Sequence, residues 1–200
     1  MIAPRTLLLL ATASVTALAL LGCKATRAGY ESAPYRVLQK DGRFEIREYP
    51  PLTLVQSPPA EPESAASQNF RRLFAFITGS NAEKRKIPMT TPVFLSSQPA
   101  GRSMAFVMPS SLPAHQVPRP TDPSLQVRST PSKRFAVLRY SGRQAPQTEQ
   151  ARLAELRAWI QEARLRSLAD PTFAYFDPPW TPPFLRRIEV MLPLHSPEKP

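Results

Sequence analysis

The sequence predicts an α+β fold built from two similar halves, each with the order strand, helix, strand, strand. Residues 86–109 read as two strands joined by a turn. The returning strand of this pair, residues 104–109, is echoed near the end of the chain by residues 188–193. Residues 44–49 are echoed in the same way by residues 135–140, and each of these strands leads to a helical pattern.

In the first strand of the hairpin at residues 86–109, successive side chains alternate between two faces. This alternation places one set on the same face: Ile87, Met89, Thr91 and Val93. Pro88 and Pro92 lie on the opposite face and remove hydrogen-bond donors, so this strand is predicted to be an edge or a bulged strand. Residues 98–101 supply the turn. The returning strand is apolar on both faces, which predicts that it is covered on both sides.

Two helices are predicted from apolar residues at helical spacing. The first spans roughly residues 65–78 and ends at Gly79, with a stripe formed by Phe70, Leu73, Phe74 and Ile77. The second runs from a Thr148 cap to about residue 168, with a stripe formed by Leu153, Leu156, Ile160 and Ala163. We expect a core that includes Ile46, Met89, Val93, Phe106, Met108 and Val137, and exposed side chains at Arg71, Arg152 and Arg157.

The first 22 residues have the pattern of a bacterial lipoprotein signal peptide. A short positive region is followed by an apolar run that ends at Cys23, the single cysteine of the chain. Its ending resembles a lipobox, so Cys23 is the predicted lipidation site, and Lys24 mildly favours the outer membrane. The predicted organisation is a signal peptide at 1–22, an acylated tether at 23–33, a domain at 34–195 and a disordered tail at 196–200. The alternative at this terminus is an uncleaved membrane anchor or a buried free cysteine.

The side chains available for catalysis argue against an enzymatic function. The 2 histidines lie in a Pro-rich loop (His115) and in the tail (His195), which is too few for a His-based metal cluster or a Ser-His-Asp relay. No Gly-rich phosphate loop is present, and a disulfide within the chain is impossible. The net charge of +11 comes from dispersed Arg residues without a basic arm, so nucleic acid is not expected as a partner. That charge fits either a basic solvated surface or attraction to anionic lipid or an anionic ligand.

Several motifs resemble the SOUL haem-binding protein family and occur in the order typical of it. They are YRVL at 35–38, FEIREY at 44–49, GSN at 79–81, KIPMTTPV at 86–93, MAFVMP at 104–109, the segment 135–142, YFDPPW at 175–180 and RRIEV at 186–190. The most specific are KIPMTTPV and RRIEV. The chain departs from the family at Ile188, where an asparagine is common.

The resemblance implies that the two halves form a curved, barrel-like antiparallel sheet with both helices packed outside. It also implies non-covalent binding of haem or another porphyrin, mainly through apolar and basic contacts and without an essential His ligand. The regions that the family uses contain Phe70, Arg71, Phe74 and Ile77 on the first helix, and Tyr175, Phe176 and Trp180 before the last strand. Of these, Phe74 and Phe176 match positions implicated in the family.

Two functional classes therefore remain open. One is a membrane-tethered envelope lipoprotein, facing the periplasm, that binds haem or a related tetrapyrrole for carriage, buffering or sensing. The other is an envelope lipoprotein that uses the same fold for a non-haem amphipathic ligand or a protein partner. The sequence does not indicate an oligomeric state.

Overall fold

A computed structural model describes residues 29–60, 64–98, 101–167 and 170–195. The predicted signal peptide, Cys23 and the tail at 196–200 lie outside the described residues. The first half contains the strands β1 (Glu31–Ser32), β2 (Arg36–Asp41), β3 (Phe44–Tyr49) and β4 (Leu52–Gln56), then helix α1 (Ser64–Ile77), then β5 (Thr90–Thr91), β6 (Val93–Gln98) and β7 (Gly101–Val107). The second half contains β8 (Gln126–Thr130), β9 (Lys133–Tyr140), helix α2 (Pro146–Glu162), β10 (Thr172–Tyr175) and β11 (Ile188–Pro193).

Nine strands form one antiparallel sheet in the order β2-β3-β9-β11-β10-β6-β7-β4-β8. The small strand β1, at the end of the predicted tether, pairs in parallel with β5. The predicted α+β architecture, with a curved antiparallel sheet and two helices, is confirmed.

The sheet order reads symmetrically about its central pair, β10 and β6. Strands β11 and β9 follow β10 on one side, and β7 and β4 follow β6 on the other. The order strand, helix, strand, strand is thus present twice, and β7 corresponds to β11 as predicted. The predicted equivalence of residues 44–49 and 135–140 is wrong, because β3 pairs directly with β9, whereas β4 takes the position that corresponds to β9.

The alternation of the strands divides the buried residues into two layers. The helix-side layer includes Phe106, Leu138 and Val190 and is covered by α1 and α2. The opposite layer includes Tyr49, Val137 and Met191, whose side chains point from the other face of the sheet. The sheet is therefore buried on both faces where these residues lie. This burial explains why its strands carry apolar residues on both sides, as predicted for residues 104–108.

The predicted core residues lie in these two layers. Phe106, Met108 and Val137 are buried, and Ile46, Met89 and Val93 are partly buried and packed against the helix-side layer. Arg71 and Arg157 are exposed as predicted. Arg152 is only partly exposed, because its guanidinium bonds Glu155 and lies over the ring of Tyr140.

The end of α1 is fixed by Gly79 and Asn81. Gly79 has φ 123°, a conformation that favours glycine, and the Ser80 N–H donates to the carbonyl of Ala75. The Asn81 side-chain amide donates to the carbonyls of Phe76 and Arg85 at 2.9 and 2.7 Å. This confirms the predicted helix end and explains the GSN motif.

Helix α2 begins two residues before the predicted Thr148 cap and ends six residues before the predicted end. Pro146 occupies the first turn, where its fixed φ suits a helix start, and Ala145 precedes it in an extended conformation. Leu156 and Ile160 are buried as predicted, but Ala163 is exposed because it follows the last helical residue.

Candidate ligand-binding surface

Helix α1 keeps two phenylalanine rings on its outer side. Phe70 is 39% exposed and Phe74 is 46% exposed, and their rings stack with centroids 5.9 Å apart and planes 14° apart. Phe70 also meets Phe106 of β7 edge to face, with centroids 5.5 Å apart. The outer pair is therefore anchored to the sheet while its surface stays accessible to a ligand.

The side chains on the inner side of α1 are buried in the core. Leu73 and Phe76 are completely buried, and Ile77 is 3% exposed. Ile77, a predicted binding residue, therefore supports the helix from inside and offers no surface to a ligand. The predicted apolar stripe of α1 is divided between two roles: Leu73 and Ile77 are buried against the sheet, whereas Phe74 faces solvent, and Phe70 lies at the boundary, partly exposed and in contact with Phe106.

The second half of the domain provides an internal comparison for Phe74. Leu73 and Ile77 of α1 correspond in spacing and burial to Leu156 and Ile160 of α2. The position that corresponds to Phe74 is then Arg157, which is exposed. Because the same packing is achieved with a charged residue at this position, the fold does not require an aromatic side chain there.

Two arginines follow Phe70 in the chain. Arg71 is exposed and lies one turn before Phe74 on the same side of the helix. Arg72 points elsewhere, since its guanidinium lies 3.4 Å from the Ser124 hydroxyl and 3.7 Å from the Asp122 carboxylate. Arg71 is thus the cation on the side of the helix that carries the phenylalanine pair.

The residues predicted from the loop before the last strand do not join this surface. Tyr175 points into the helix-side layer, where its hydroxyl donates to the Glu149 carboxylate. Phe176 is 2% exposed and lies in the opposite layer, because successive residues of an extended chain point to opposite faces. Trp180 is 78% exposed and lies on the crossing between β10 and β11.

A buried charge cluster, which sequence reasoning missed, fills the layer around Phe176. The Arg47 guanidinium donates two hydrogen bonds to Glu189, at 2.6 and 3.0 Å, and one to Glu45 at 2.6 Å. The Arg187 guanidinium also donates to Glu189 at 2.8 Å and lies 3.8 Å from the ring centre of Phe176. Burial by itself lowers the pKa of Arg47, but the hydrogen bonds and charge of Glu189 raise it overall. The cluster is therefore a charge-balanced support on this side of the sheet.

A second polar cluster sits at the start of α2. Glu149 is buried, and its carboxylate accepts hydrogen bonds from Tyr175 and, at 2.8 Å, from Arg102. Burial raises the pKa of Tyr175, and the negative charge of Glu149 raises it further. The hydroxyl of Tyr175 therefore remains a proton donor at neutral pH.

The histidines lie away from these clusters. His115 is exposed in a short turn, where its ring lies 3.4 Å from the side chain of Gln116. His195 is exposed at the end of the described chain. Across residues 29–195, apart from the short undescribed gaps, no three His, Cys, Asp or Glu side chains are grouped as metal ligands. No helix among the described residues has the length and apolar character needed to cross a bilayer.

A shallow depression of about 400 Å³ lies between the start of β2 and the end of β3. Its walls are formed mainly by Pro34, Tyr35, Pro50 and Pro51, with the exposed ion pair of Arg36 and Glu48 at its edge. None of the predicted binding residues lines it.

Comparison with solved structures shows the same fold at low sequence identity. The C-terminal domain of EcmrR superimposes with a TM-score of 0.57 and 10% identity, over 81% of this chain and 98% of that one. EcmrR in its complex with DNA gives a TM-score of 0.59 and 10% identity, over 96% and 70% of the two chains. A hydrolase from Listeria innocua gives 0.55 and 8% identity, over 79% and 94%. No curated protein matches the sequence.

The family comparison is more specific. The sequence pattern described as SOUL heme-binding protein matches residues 30–193, which is most of the chain and includes both halves of the sheet. Together with the confirmed architecture, this match shows that the chain belongs to the SOUL haem-binding protein family.

Proposed function

We propose that the domain binds haem or a related tetrapyrrole, reversibly and without a covalent bond, on the outer face of α1. The observation that carries the proposal is the stacked, half-exposed pair of Phe70 and Phe74. The fold does not need an aromatic ring at position 74, as the exposed Arg157 shows at the corresponding position of α2, whereas Phe70 corresponds to Leu153, which packs against the core. Family membership supplies the class of ligand.

The chemistry of this surface suits a porphyrin. A planar apolar macrocycle gains contact energy over aromatic rings, and its propionate groups pair well with a guanidinium. Phe70 and Phe74 offer the ring contact, and Arg71 on the same side of the helix offers the cation. The pair covers a ligand from one side only, which favours modest affinity and carriage, buffering or sensing.

A haemin titration followed by the Soret band tests the proposal. Replacing Phe74 by Ala removes a half-exposed ring without opening the core, so binding is expected to weaken about tenfold for a loss of roughly 1.4 kcal/mol of contact energy. Tyr30→Ala is the matched control, since Tyr30 is a half-exposed aromatic residue that lies outside both regions the family uses. His115→Ala is expected to bind like wild type.

The outcomes separate the two functional classes. Absence of saturable binding at micromolar haemin, or its loss in His115→Ala alone, would refute the proposed mechanism. Absence of haemin binding would assign the same surface to a non-haem amphipathic ligand or a protein partner, whereas loss in His115→Ala alone would show haemin binding that depends on His115.

We further propose that Cys23 is lipidated and tethers the domain to the bacterial envelope, facing the periplasm. The support is the lipobox-like ending of the apolar run at 1–22. Two or three acyl chains, at about 0.8 kcal/mol per buried methylene, hold a protein firmly on a bilayer. A Cys23→Ala chain should lose signal-peptide processing and the acyl anchor, and a variant that is still processed and membrane-bound would contradict the tether.

A further inference from the structure

The crossing between β10 and β11 carries two aromatic side chains in solvent. We call residues 178–185 the aromatic loop. Trp180 is 78% exposed and Phe184 is 75% exposed, more than any other large apolar side chain among the described residues. Isolated exposed apolar residues are ordinary, but two large aromatic rings on one short loop mark a contact surface.

The aromatic loop is held in place rather than loosely attached. The Arg186 guanidinium donates to the carbonyl of Thr181 at 2.7 Å and to the carbonyl of Pro179. The Gly142 N–H donates to the carbonyl of Pro183 at 3.0 Å, which ties the loop to the segment before α2. Because prolines also restrict the backbone, the two rings are presented to solvent by a fixed scaffold.

The charged residues that border the loop are mainly arginines; the acidic one, Asp177, lies directly before the loop and accepts a hydrogen bond from the Arg187 N–H at 2.6 Å. Arg186 makes its two loop hydrogen bonds to carbonyl oxygens, which are uncharged acceptors and do not neutralise its charge. Arg143 is exposed and follows Gly142, the residue that contacts the loop. The whole chain carries a net charge of +11. Aromatic rings flanked by arginines suit the headgroup region of an anionic bilayer, where rings enter the interface and guanidinium groups meet phosphates.

The loop also lies close to the point where the chain enters the domain. The Arg187 guanidinium, just after the loop, donates to the Tyr35 hydroxyl at 3.0 Å. Tyr35 follows the predicted tether by two residues. A bilayer that holds the tether is therefore within reach of the aromatic loop.

We propose that the aromatic loop inserts Trp180 and Phe184 into the interface of the anionic bilayer to which the chain is anchored. This inference rests on the proposed tether. The loop adds a second attachment point to the acyl chains, and two points fix the orientation of the domain on the membrane.

Tryptophan quenching by lipid tests the proposal, because the chain has only 2 tryptophans. The full lipidated chain is reconstituted into vesicles of phosphatidylglycerol and phosphatidylcholine with bromine on the acyl chains. A Trp159→Phe variant reports Trp180 alone, and a Trp180→Phe variant reports Trp159, which is buried and bonded to Asp41. At an insertion depth of about 5–10 Å, Trp180 should be quenched at least about twofold more than Trp159.

The anionic lipid is tested with a charge variant and a matched control. Arg143→Glu, or vesicles of phosphatidylcholine alone, should remove most of the Trp180 quenching, whereas Arg119→Glu on a different exposed loop should not. A chain that fails to sediment with vesicles refutes the tether and this inference together. A chain that sediments with unquenched Trp180 refutes this inference alone, as does a Trp180→Ala variant that weakens haemin binding as much as Phe74→Ala.

Discussion

Replacing Glu189 by Gln tests the buried charge cluster directly. Glu189 has no exposed surface, and its carboxylate accepts from Arg47 at 2.6 and 3.0 Å and from Arg187 at 2.8 Å. Glutamine has nearly the same shape, but it turns one acceptor oxygen into an NH2 donor that faces guanidinium donors. The substitution leaves the cluster of Arg47, Arg187 and Glu45 with one uncompensated positive charge.

The expected cost is set by the loss of one partner from a buried ion pair, about 3–5 kcal/mol. If the free energy of unfolding falls by roughly 2 kcal/mol per molar urea, this loss lowers the urea concentration at the midpoint of unfolding by about 2 M. Since domains of this size are stable by about 5–15 kcal/mol, the variant gives up a large part of its stability.

Urea unfolding of wild type and two variants measures the effect. Glu48→Gln is the matched control, because Glu48 pairs with Arg36 and Arg134 at the surface, and its removal should leave the midpoint almost unchanged. If Glu189→Gln lowers the free energy of unfolding by less than about 1 kcal/mol, the carboxylate is not buried among arginines as described, and the reasoning fails.

Three further predictions concern single side chains. Phe106→Ala should lower the free energy of unfolding by about 3–5 kcal/mol, because Phe106 is 1% exposed; a loss below about 1 kcal/mol in urea would contradict its core position. Thr181→Val should raise the melting temperature or leave it unchanged, since the buried Thr181 hydroxyl has no hydrogen-bond partner among the described residues; a marked fall would reveal a partner. Hydrogen bonds from Ser124 hold the pKa of Asp122 below its ordinary value, so its stabilising contribution is present above about pH 4 and is lost as the pH falls through the lowered pKa. Asp122→Asn should therefore unfold with a weaker dependence on acid pH, and an unchanged pH profile would refute this contribution.

Local patterns in the sequence were enough to predict most of the fold. Both helices, the returning strand β7 and the repeat of β7 in β11 follow from spacing and alternation within short windows. The first strand of the hairpin was wrong in place and position: it was predicted at residues 86–93 as an edge or bulged strand, whereas β6 spans Val93–Gln98 and lies between β10 and β7 in the middle of the sheet. The equivalence of β3 and β9 was misjudged because similar local sequences also suit strands that pair with each other. Pairing depends on contacts between distant segments, which no local pattern specifies.

The candidate surface was predictable only in part. The spacing on α1 places Phe70, Phe74 and Ile77 on one apolar stripe. This stripe is wider than the contact between the helix and the sheet, so only the three-dimensional packing shows which side chains stay outside the core. For Tyr175 and Phe176, alternation along an extended chain already indicates opposite faces. The contact of Arg47 with Glu189 joins residues 142 positions apart and needed the sheet order to be seen.

Strand β3 of the first half pairs with β9 of the second, and β8 of the second half pairs with β4 of the first. Each half therefore supplies one strand to the part of the sheet formed by the other half. This is the connectivity of a strand-exchanged dimer joined into one chain, with the β6–β10 pair at its centre. Neither half can close its own sheet, so a half expressed alone would present unpaired edges and recruit a second copy. We therefore expect the two halves to unfold together in one cooperative transition.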